Sequence, residues 1–243
     1  MNKFQREPER MYIICDIDEI LVLQTPKWCK MLYEQYKDDP IMNKYLVLNE
    51  LLCNKDLVLG RGEYYLNKWL ANPDIPLDTV PKEINETILD VTDTIDFYDD
   101  LKPTKMGYAI QAMCQSPRVA KIYFVTKNDD GPAWESKKKF MDKYFNFGEK
   151  GEMIRVPLDK TKSEYINKYI KDKEKINVIF EDHPKNIIDI LDNALQDNKE
   201  VVVMYPDYGY GLHSLLATGE LTDEKLEAYD NNRREIRVYE VLD

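Results

Sequence analysis

The sequence has few of the residues that build thiolate metal sites and disulfide frameworks. Its 243 residues include four cysteines, at positions 15, 29, 53 and 114, and two histidines. The cysteines show no paired short spacing of the kind that binds zinc, and the pattern does not fit a secreted disulfide scaffold. The sequence therefore predicts a reduced, cytoplasmic setting.

Positive charge and long apolar runs are also scarce. Lys and Arg number 34 against 45 Asp and Glu, and the formal net charge of -11 opposes binding to nucleic acid and to anionic membrane surfaces. The amino terminus is charged and the first apolar run is broken by Asp16, so we expect neither a signal peptide nor a membrane span there. We expect no nucleic-acid or membrane partner. The oligomeric state stays open, a homodimer included.

The chain does contain short apolar strands that alternate with helical segments. Apolar runs at 11–15, 119–125, 153–156, 176–180 and 199–205 are separated by helical patterns near 104–114, 132–145 and 161–171 and by a helix start at Pro184. A short helix near 222–229 and an edge strand at 236–242 complete the series. Such alternation is typical of parallel βαβ units. We predict an α/β fold with a doubly wound, Rossmann-like parallel sheet.

The stretch from residue 24 to 102 has a different pattern. Its apolar residues recur at helical spacing, and three prolines between positions 72 and 81 separate the helical pieces. We predict a mostly helical cap at 24–102, inserted after the first strand of a core formed by 1–23 and 103–243. Aromatic residues of the cap either pack in its interior, the commoner role, or stack on a base; they are Trp28, Tyr33, Tyr36, Tyr64, Tyr65 and Trp69.

Polar residues follow several of the predicted strands. In a doubly wound sheet the carboxyl ends of the strands converge on one crevice. Adjacent carboxylates repel unless a cation or a proton lies between them, and their oxygens suit a hard metal ion. The strand-end residues are Asp16, Asp18, Thr126, Lys127, Lys160, Glu181 and Asp182.

The basic run at 137–139 lies in a predicted helix, and we expect its lysines to form a solvated face of that helix.

The order of the strand-end residues resembles the motifs of the haloacid dehalogenase (HAD) superfamily of phosphohydrolases. Those motifs are an Asp-x-Asp strand end, a Thr or Ser strand end, a Lys and an acidic pair. Asp16-Ile-Asp18, Thr126, Lys160 and Glu181-Asp182 follow that order, and the resemblance spans residues 11 to 206.

Within the superfamily the chain is most similar to the 5'(3')-deoxyribonucleotidases. The similar segments are Phe97-Tyr-Asp-Asp-Leu-Lys-Pro103, Trp134-Glu-Ser-Lys-Lys-Lys-Phe140 and Leu158-Asp-Lys-Thr161. The chain departs from these enzymes at Glu19, where the family usually has Gly, and at Leu158, where it usually has Arg.

The resemblance implies a phosphomonoesterase that hydrolyses deoxyribonucleoside or ribonucleoside 5'-monophosphates through an aspartyl-phosphate intermediate. Asp16 would be the nucleophile and Asp18 the general acid and base. Lys160 would neutralise the reacting phosphate, with Thr126 and Lys127 as further phosphate contacts. Two alternatives stay open: a HAD phosphatase for a sugar phosphate or a nucleic-acid 3' phosphate, and a non-catalytic HAD-derived protein that binds nucleotides.

The resemblance also implies a magnesium ion as cofactor. Asp16, the backbone carbonyl of Asp18 and Asp182 would ligate Mg²⁺, and Glu181 would either contact these ligands or a metal-bound water or be a surface acid. The only partner implied is a small nucleotide substrate.

Overall fold

Six parallel strands form one sheet in the computed structural model, which describes residues 10–40, 82–170, 175–198, 200–206, 216 and 219–239. The strands are β1 (Met11–Cys15), β2 (Val119–Lys127), β3 (Gly151–Val156), β4 (Ile176–Phe180), β5 (Glu200–Pro206) and β6 (Arg234–Tyr239). Their spatial order is β3-β2-β1-β4-β5-β6, and each neighbouring pair is parallel. This is the Rossmann-like order: β2 and β3 are added on one side of β1, and β4, β5 and β6 are added on its other side. The predicted fold class is confirmed.

The described helices begin at residues suited to a helix start. They are α1 (Thr25–Tyr36), α2 (Glu83–Thr92), α3 (Lys105–Cys114), α4 (Pro132–Tyr144), α5 (Lys162–Tyr169), α6 (Pro184–Asn193) and α7 (Asp223–Asn231). Thr104, Thr161 and Thr222 cap α3, α5 and α7 with a side-chain oxygen, and α1, α4 and α6 have proline in the first turn. Among the described helices, none is both long and apolar enough to cross a membrane.

Both faces of the sheet are buried. Ile13 and Cys15 of β1 lie in a cluster with residues of α3 and α4, whereas Ile14 lies in a second cluster with residues of α5, α6 and α7. A strand covered on both faces needs apolar side chains at every position. This explains why β1, at the centre of the sheet, appears in the sequence as a continuous apolar run.

The two ends of the predicted cap lie side by side. Val22 and Pro103 form an antiparallel bridge, so the chain leaves the core and returns to it at neighbouring points. Between them, Trp28 Nε1 of α1 donates to Thr92 Oγ1 of α2 at 2.9 Å. Residues 41–81, with Tyr64, Tyr65 and Trp69, lie outside the described part of the chain, so the helical cap stays a prediction.

Candidate active site

Asp16 follows β1 directly and faces the crevice at the carboxyl edge of the sheet. Its backbone N–H donates to the carbonyl of Phe180 in β4 at 2.9 Å, which continues the pairing of the two strands. Its Oδ1 accepts from the Ile17 N–H at 2.8 Å, and its Oδ2 lies 2.6 Å from Lys162 Nζ. The side chain is 10% exposed. The carboxylate is therefore held in place by both oxygens and is largely shielded from solvent.

Three carboxylates come together where the central strands end. Glu181 and Asp182 follow β4, the neighbour of β1, and are almost fully buried. One ligand oxygen from each of Asp16, Glu181 and Asp182 lies within 4.8 Å of the other two. The structure thus brings together the acidic residues that the sequence placed on separate segments.

The lysine beside these carboxylates is Lys162. Its Nζ lies 2.6 Å from Asp16 Oδ2 and 2.7 Å from Glu181 Oε2, and its side chain is 2% exposed. Lys160, which the sequence analysis chose for this role, is 48% exposed and pairs with Asp159 at 3.3 Å. The structure therefore places Lys162 beside the carboxylates, and Lys160 lies outside the cluster.

The physical reason for this placement is the starting point of α5. Thr161 is the N-cap and its side chain accepts from the Glu164 N–H, so Lys162 is the first helical residue whereas Lys160 belongs to the preceding turn. Thr161 and Glu164 have the spacing of a capping box. That signal was present in the sequence and could have identified Lys162 as the residue that enters the site.

The Asp18 carboxylate points to a different set of partners. Its Oδ2 lies 2.6 Å from Lys137 Nζ, and its Oδ1 accepts hydrogen bonds from the Tyr98 hydroxyl, at 2.6 Å, and from Gln24 Nε2. Gln24 and Tyr98 lie at the two ends of the predicted cap segment. Asp18 therefore connects the core with the segments that lead into and out of that cap.

The sequence predicts that Lys137 lies on a solvated helix face, but in the structure Lys137 is buried. Its side chain is 1% exposed and its Nζ donates to Thr126 Oγ1 at 3.0 Å as well as to Asp18. Only the rest of the basic run is accessible, with Lys138 half-buried and Lys139 exposed. Lys137 falls on the buried stripe of α4 at helical spacing from Trp134 and Met141. That spacing could have separated Lys137 from its neighbours.

The predicted phosphate contacts lie at the end of β2. Thr126 is buried with 1% exposure, and its hydroxyl accepts from Lys137. Lys127, the last residue of β2, is half-buried and pairs in register with Val156 of β3. Both residues thus lie at the same edge of the sheet as Asp16.

The electrostatics of the cluster favour an added cation. Burial raises the pKa of Asp16 to about 6, an effect that Lys162 opposes and Glu181 reinforces. Burial, followed by the charges of Glu181 and Asp16, raises the pKa of Asp182 well above its ordinary range. Burial alone would lower the pKa of Lys162, but Asp16 and Glu181 outweigh it and raise the value. The Lys162 ammonium is therefore one positive charge beside a cluster of three buried carboxyl groups.

His183 has a structural role at the start of α6. Its Nδ1 accepts from the Lys185 N–H at 3.1 Å and caps the helix. Burial, followed by the positive charge of Lys162, lowers the pKa of His183 to about 4. The imidazole is therefore neutral at physiological pH and acts as a hydrogen-bond acceptor.

Glu19 occupies the position where the resembling enzymes usually have glycine. Its φ of 56° is in the left-handed region that glycine adopts most easily. Its Oε1 accepts from the Gln24 and Thr25 N–H groups at 2.8 and 2.9 Å, and burial raises its pKa to about 7. Glu19 thus holds the start of α1 through its side chain, and these hydrogen bonds help to offset the strain of the backbone.

The donor set fits a hard divalent cation. Asp16, Glu181 and Asp182 offer carboxylate oxygens within 4.8 Å of one another, and they are buried where the uncompensated negative charge is costly. Magnesium prefers a few carboxylates and keeps several waters. The cluster could therefore hold a divalent metal ion.

Comparisons with known proteins add the following findings. No protein-family model matches the chain, and no curated protein matches it significantly. Among solved structures, the chain is similar to a crystal structure of a presumed phosphatase from Clostridium difficile, with 14% sequence identity and a TM-score of 0.43 over 96% of this chain and 95% of that chain. At this identity and TM-score the likeness carries no argument about activity, so the function is argued from the site.

Proposed function

We propose that this protein is a magnesium-dependent phosphomonoesterase of the HAD type. One observation carries the proposal: the Asp16 carboxylate lies 2.6 Å from the buried ammonium of Lys162 and beside two further buried carboxylates, at the sheet edge where doubly wound folds bind ligands. A fixed carboxylate can attack phosphorus, and positive charge beside it can stabilise the oxygens of a phosphate.

The residues divide the reaction into two steps. Asp16 attacks phosphorus, the bond to the leaving oxygen breaks, and Asp18 gives that oxygen a proton. Asp18 then takes a proton from water as the water attacks the aspartyl-phosphate, which releases inorganic phosphate and restores Asp16. Lys137, Tyr98 and Gln24 hold the Asp18 carboxylate in place for both transfers.

The phosphate oxygens would be held by positive charge and by a hydroxyl group. Lys162 would neutralise one oxygen, in the role first assigned to Lys160, and Lys127 would approach from the end of β2. Thr126 Oγ1 accepts from Lys137, which leaves its own proton to donate to phosphate. Such preorganised donors supply most of the barrier reduction in phosphoryl transfer.

The proposed metal ligands are Asp16, Asp182 and the backbone carbonyl of Asp18. Bound Mg²⁺ would neutralise charge on the transferring phosphoryl group. Glu181 already accepts from Lys162 through Oε2 and from the His183 N–H and Asn186 Nδ2 through Oε1. Because Glu181 is 1% exposed and is held by these three donors, we assign it to holding Lys162 rather than to direct metal ligation.

The proposed substrate is a nucleoside 5'-monophosphate, with deoxyribonucleotides preferred. Three features support it: the resemblance in the segments at 97–103, 134–140 and 158–161, a net charge that disfavours polynucleotides, and the contacts of Gln24 and Tyr98 with Asp18, which bring the ends of the predicted cap to the site. A cytoplasmic location, where free nucleotides occur, is part of the same proposal.

We expect the purified protein to release phosphate from deoxyribonucleoside 5'-monophosphates faster than from the other compounds of a panel, and only with Mg²⁺. The panel contains ribonucleotides, 3'-monophosphates, sugar phosphates and an oligonucleotide with a 3' phosphate, each assayed with Mg²⁺ and with EDTA. Preference for a sugar phosphate or a 3' phosphate would change the substrate but keep the chemistry. Nucleotide binding without phosphate release would contradict a catalytic role and indicate a binding protein.

We also expect millimolar Mg²⁺ to raise the melting temperature. A ligand that binds only the folded state stabilises it, by about 2.7 kcal/mol at a concentration 100 times its dissociation constant. The measurement is differential scanning calorimetry of the wild type and of Asp182→Asn, with Ca²⁺ as a second cation. Equal shifts in wild type and variant would place the metal elsewhere.

A further inference from the structure

Helix α6 contacts both sides of the Lys162–Glu181 ion pair through two polar side chains. Asn186 Nδ2 donates to Glu181 Oε1 at 2.9 Å. Three residues further along, Asp189 accepts from Ser163, the residue after Lys162: Ser163 Oγ donates to Asp189 Oδ1 at 2.9 Å, and the Ser163 N–H donates to Oδ2 at 3.2 Å. Residues three apart share one face of a helix, so one face of α6 holds both sides of the ion pair.

We propose that Asp189 and Asn186 are positioning residues that set the location of the Lys162 ammonium against Asp16. A lysine head group lies at the end of a flexible four-carbon stem, so its position depends on how firmly the backbone at one end and the carboxylates at the other are held. Asp189 fixes the backbone end through Ser163, and Asn186 fixes the carboxylate end through Glu181. The consequence for the reaction rate rests on the proposed function, whereas the placement of the lysine does not.

The effect of removing Asp189 is local, because α5 has further attachments to the segment around the end of α6. Asn167 Nδ2 donates to the Asn193 carbonyl at 2.8 Å, and the Leu195 N–H donates to Asn167 Oδ1 at 2.9 Å. Thr161 still caps the helix. Loss of the Asp189 carboxylate, which also accepts from Asn193 Nδ2 at 3.1 Å, therefore loosens the first turn of α5 while the helix stays in place.

Chemical labelling of lysines tests this placement without any assay of activity. Reductive methylation, read by peptide mass spectrometry, should label Lys160 and spare Lys162 in the wild type, because their side chains are 48% and 2% exposed. In Asp189→Ala, and likewise in Asn186→Ala, we expect the ratio of labelling at Lys162 to that at Lys160 to rise about tenfold. Asp189→Asn should restore most of the protection, since its side-chain oxygen still accepts from the Ser163 hydroxyl.

Two controls separate this local effect from general loosening. Asp192→Ala removes the same type of side chain from the same helix, but its partners are Lys225 and Tyr229 of α7, so Lys162 should stay protected. Lys137, buried on α4 with 1% exposure, should stay protected in every variant. Protection of Lys162 in Asp189→Ala, or equal exposure of Lys137 and Lys162, would overturn the proposal.

Activity provides a second readout. With the best substrate of the panel, Asp189→Ala and Asn186→Ala should lower kcat about 10- to 100-fold, with KM and melting temperature close to those of Asp192→Ala. An active wild type together with unchanged kcat in both variants would contradict the positioning role. If the wild type hydrolyses no phosphomonoester, the proposed function fails, and the labelling ratio still decides whether α6 positions Lys162.

Discussion

Replacement of Asp16 by Asn should abolish phosphate release while the fold is kept. The amide has the shape of the carboxylate but cannot attack phosphorus. We therefore expect kcat to fall by roughly 10⁴-fold or more, as when the nucleophile is removed from an active site whose residues act as a unit. Burial already raises the pKa of Asp16 to about 6, so a neutral side chain removes an unfavourable buried charge, which offsets part of the lost ion pair with Lys162. Steady-state kinetics and thermal unfolding of both proteins test this.

A matched control for that variant is Asp159→Asn. Asp159 is a 74% exposed carboxylate in the loop before α5, where it pairs with Lys160, and its loss should leave kcat within about twofold of wild type because an exposed ion pair contributes little. Near-normal turnover in Asp16→Asn would remove Asp16 as the nucleophile. An equal loss in both variants would point to a disturbed loop rather than to lost chemistry.

The second large effect is expected from Lys162→Met, in direct comparison with Lys160→Met. Removing the buried ammonium takes away charge that stabilises the phosphate oxygens, so kcat should fall about 10²- to 10³-fold. Lys160, half exposed and paired with Asp159, should be replaceable with less than about a twofold change. The two substitutions are chemically identical and two residues apart, which makes each the control for the other.

The outcome of this comparison shows whether the reaction depends on the lysine at the motif position, Lys160, or on the lysine beside the carboxylates, Lys162. If Lys160→Met were the inactive variant, the motif position at 158–161 would be the functional one and Lys162 would serve only to balance the buried charge of Asp16 and Glu181. Circular dichroism and gel filtration should accompany the kinetics, because Lys162→Met leaves the buried carboxylates of Asp16 and Glu181 without their ammonium partner.

The sequence was sufficient to predict the sheet because its strands are buried on both faces. The run from Ile176 to Phe180 contains mostly apolar residues, and the structure gives a strand with those bounds. Asp16 and Asp182 could be placed at the crevice for the same reason, since each directly or closely follows a strand of the parallel sheet and carboxyl ends of such strands share an edge. The order of the residues along the chain was enough.

The tertiary structure showed which lysines lie beside the carboxylates and what holds them there. Whether residue 160 or 162 enters the crevice depends on where α5 begins, and the burial of Lys137 depends on which face of α4 lies on the sheet. The support that α6 gives through Asn186 and Asp189 connects segments that are distant in sequence. The start of α5 and the buried stripe of α4 have signals in the sequence, as the strand ends do, whereas the contacts that hold these side chains follow from packing between distant segments and cannot be recognised in a single sequence.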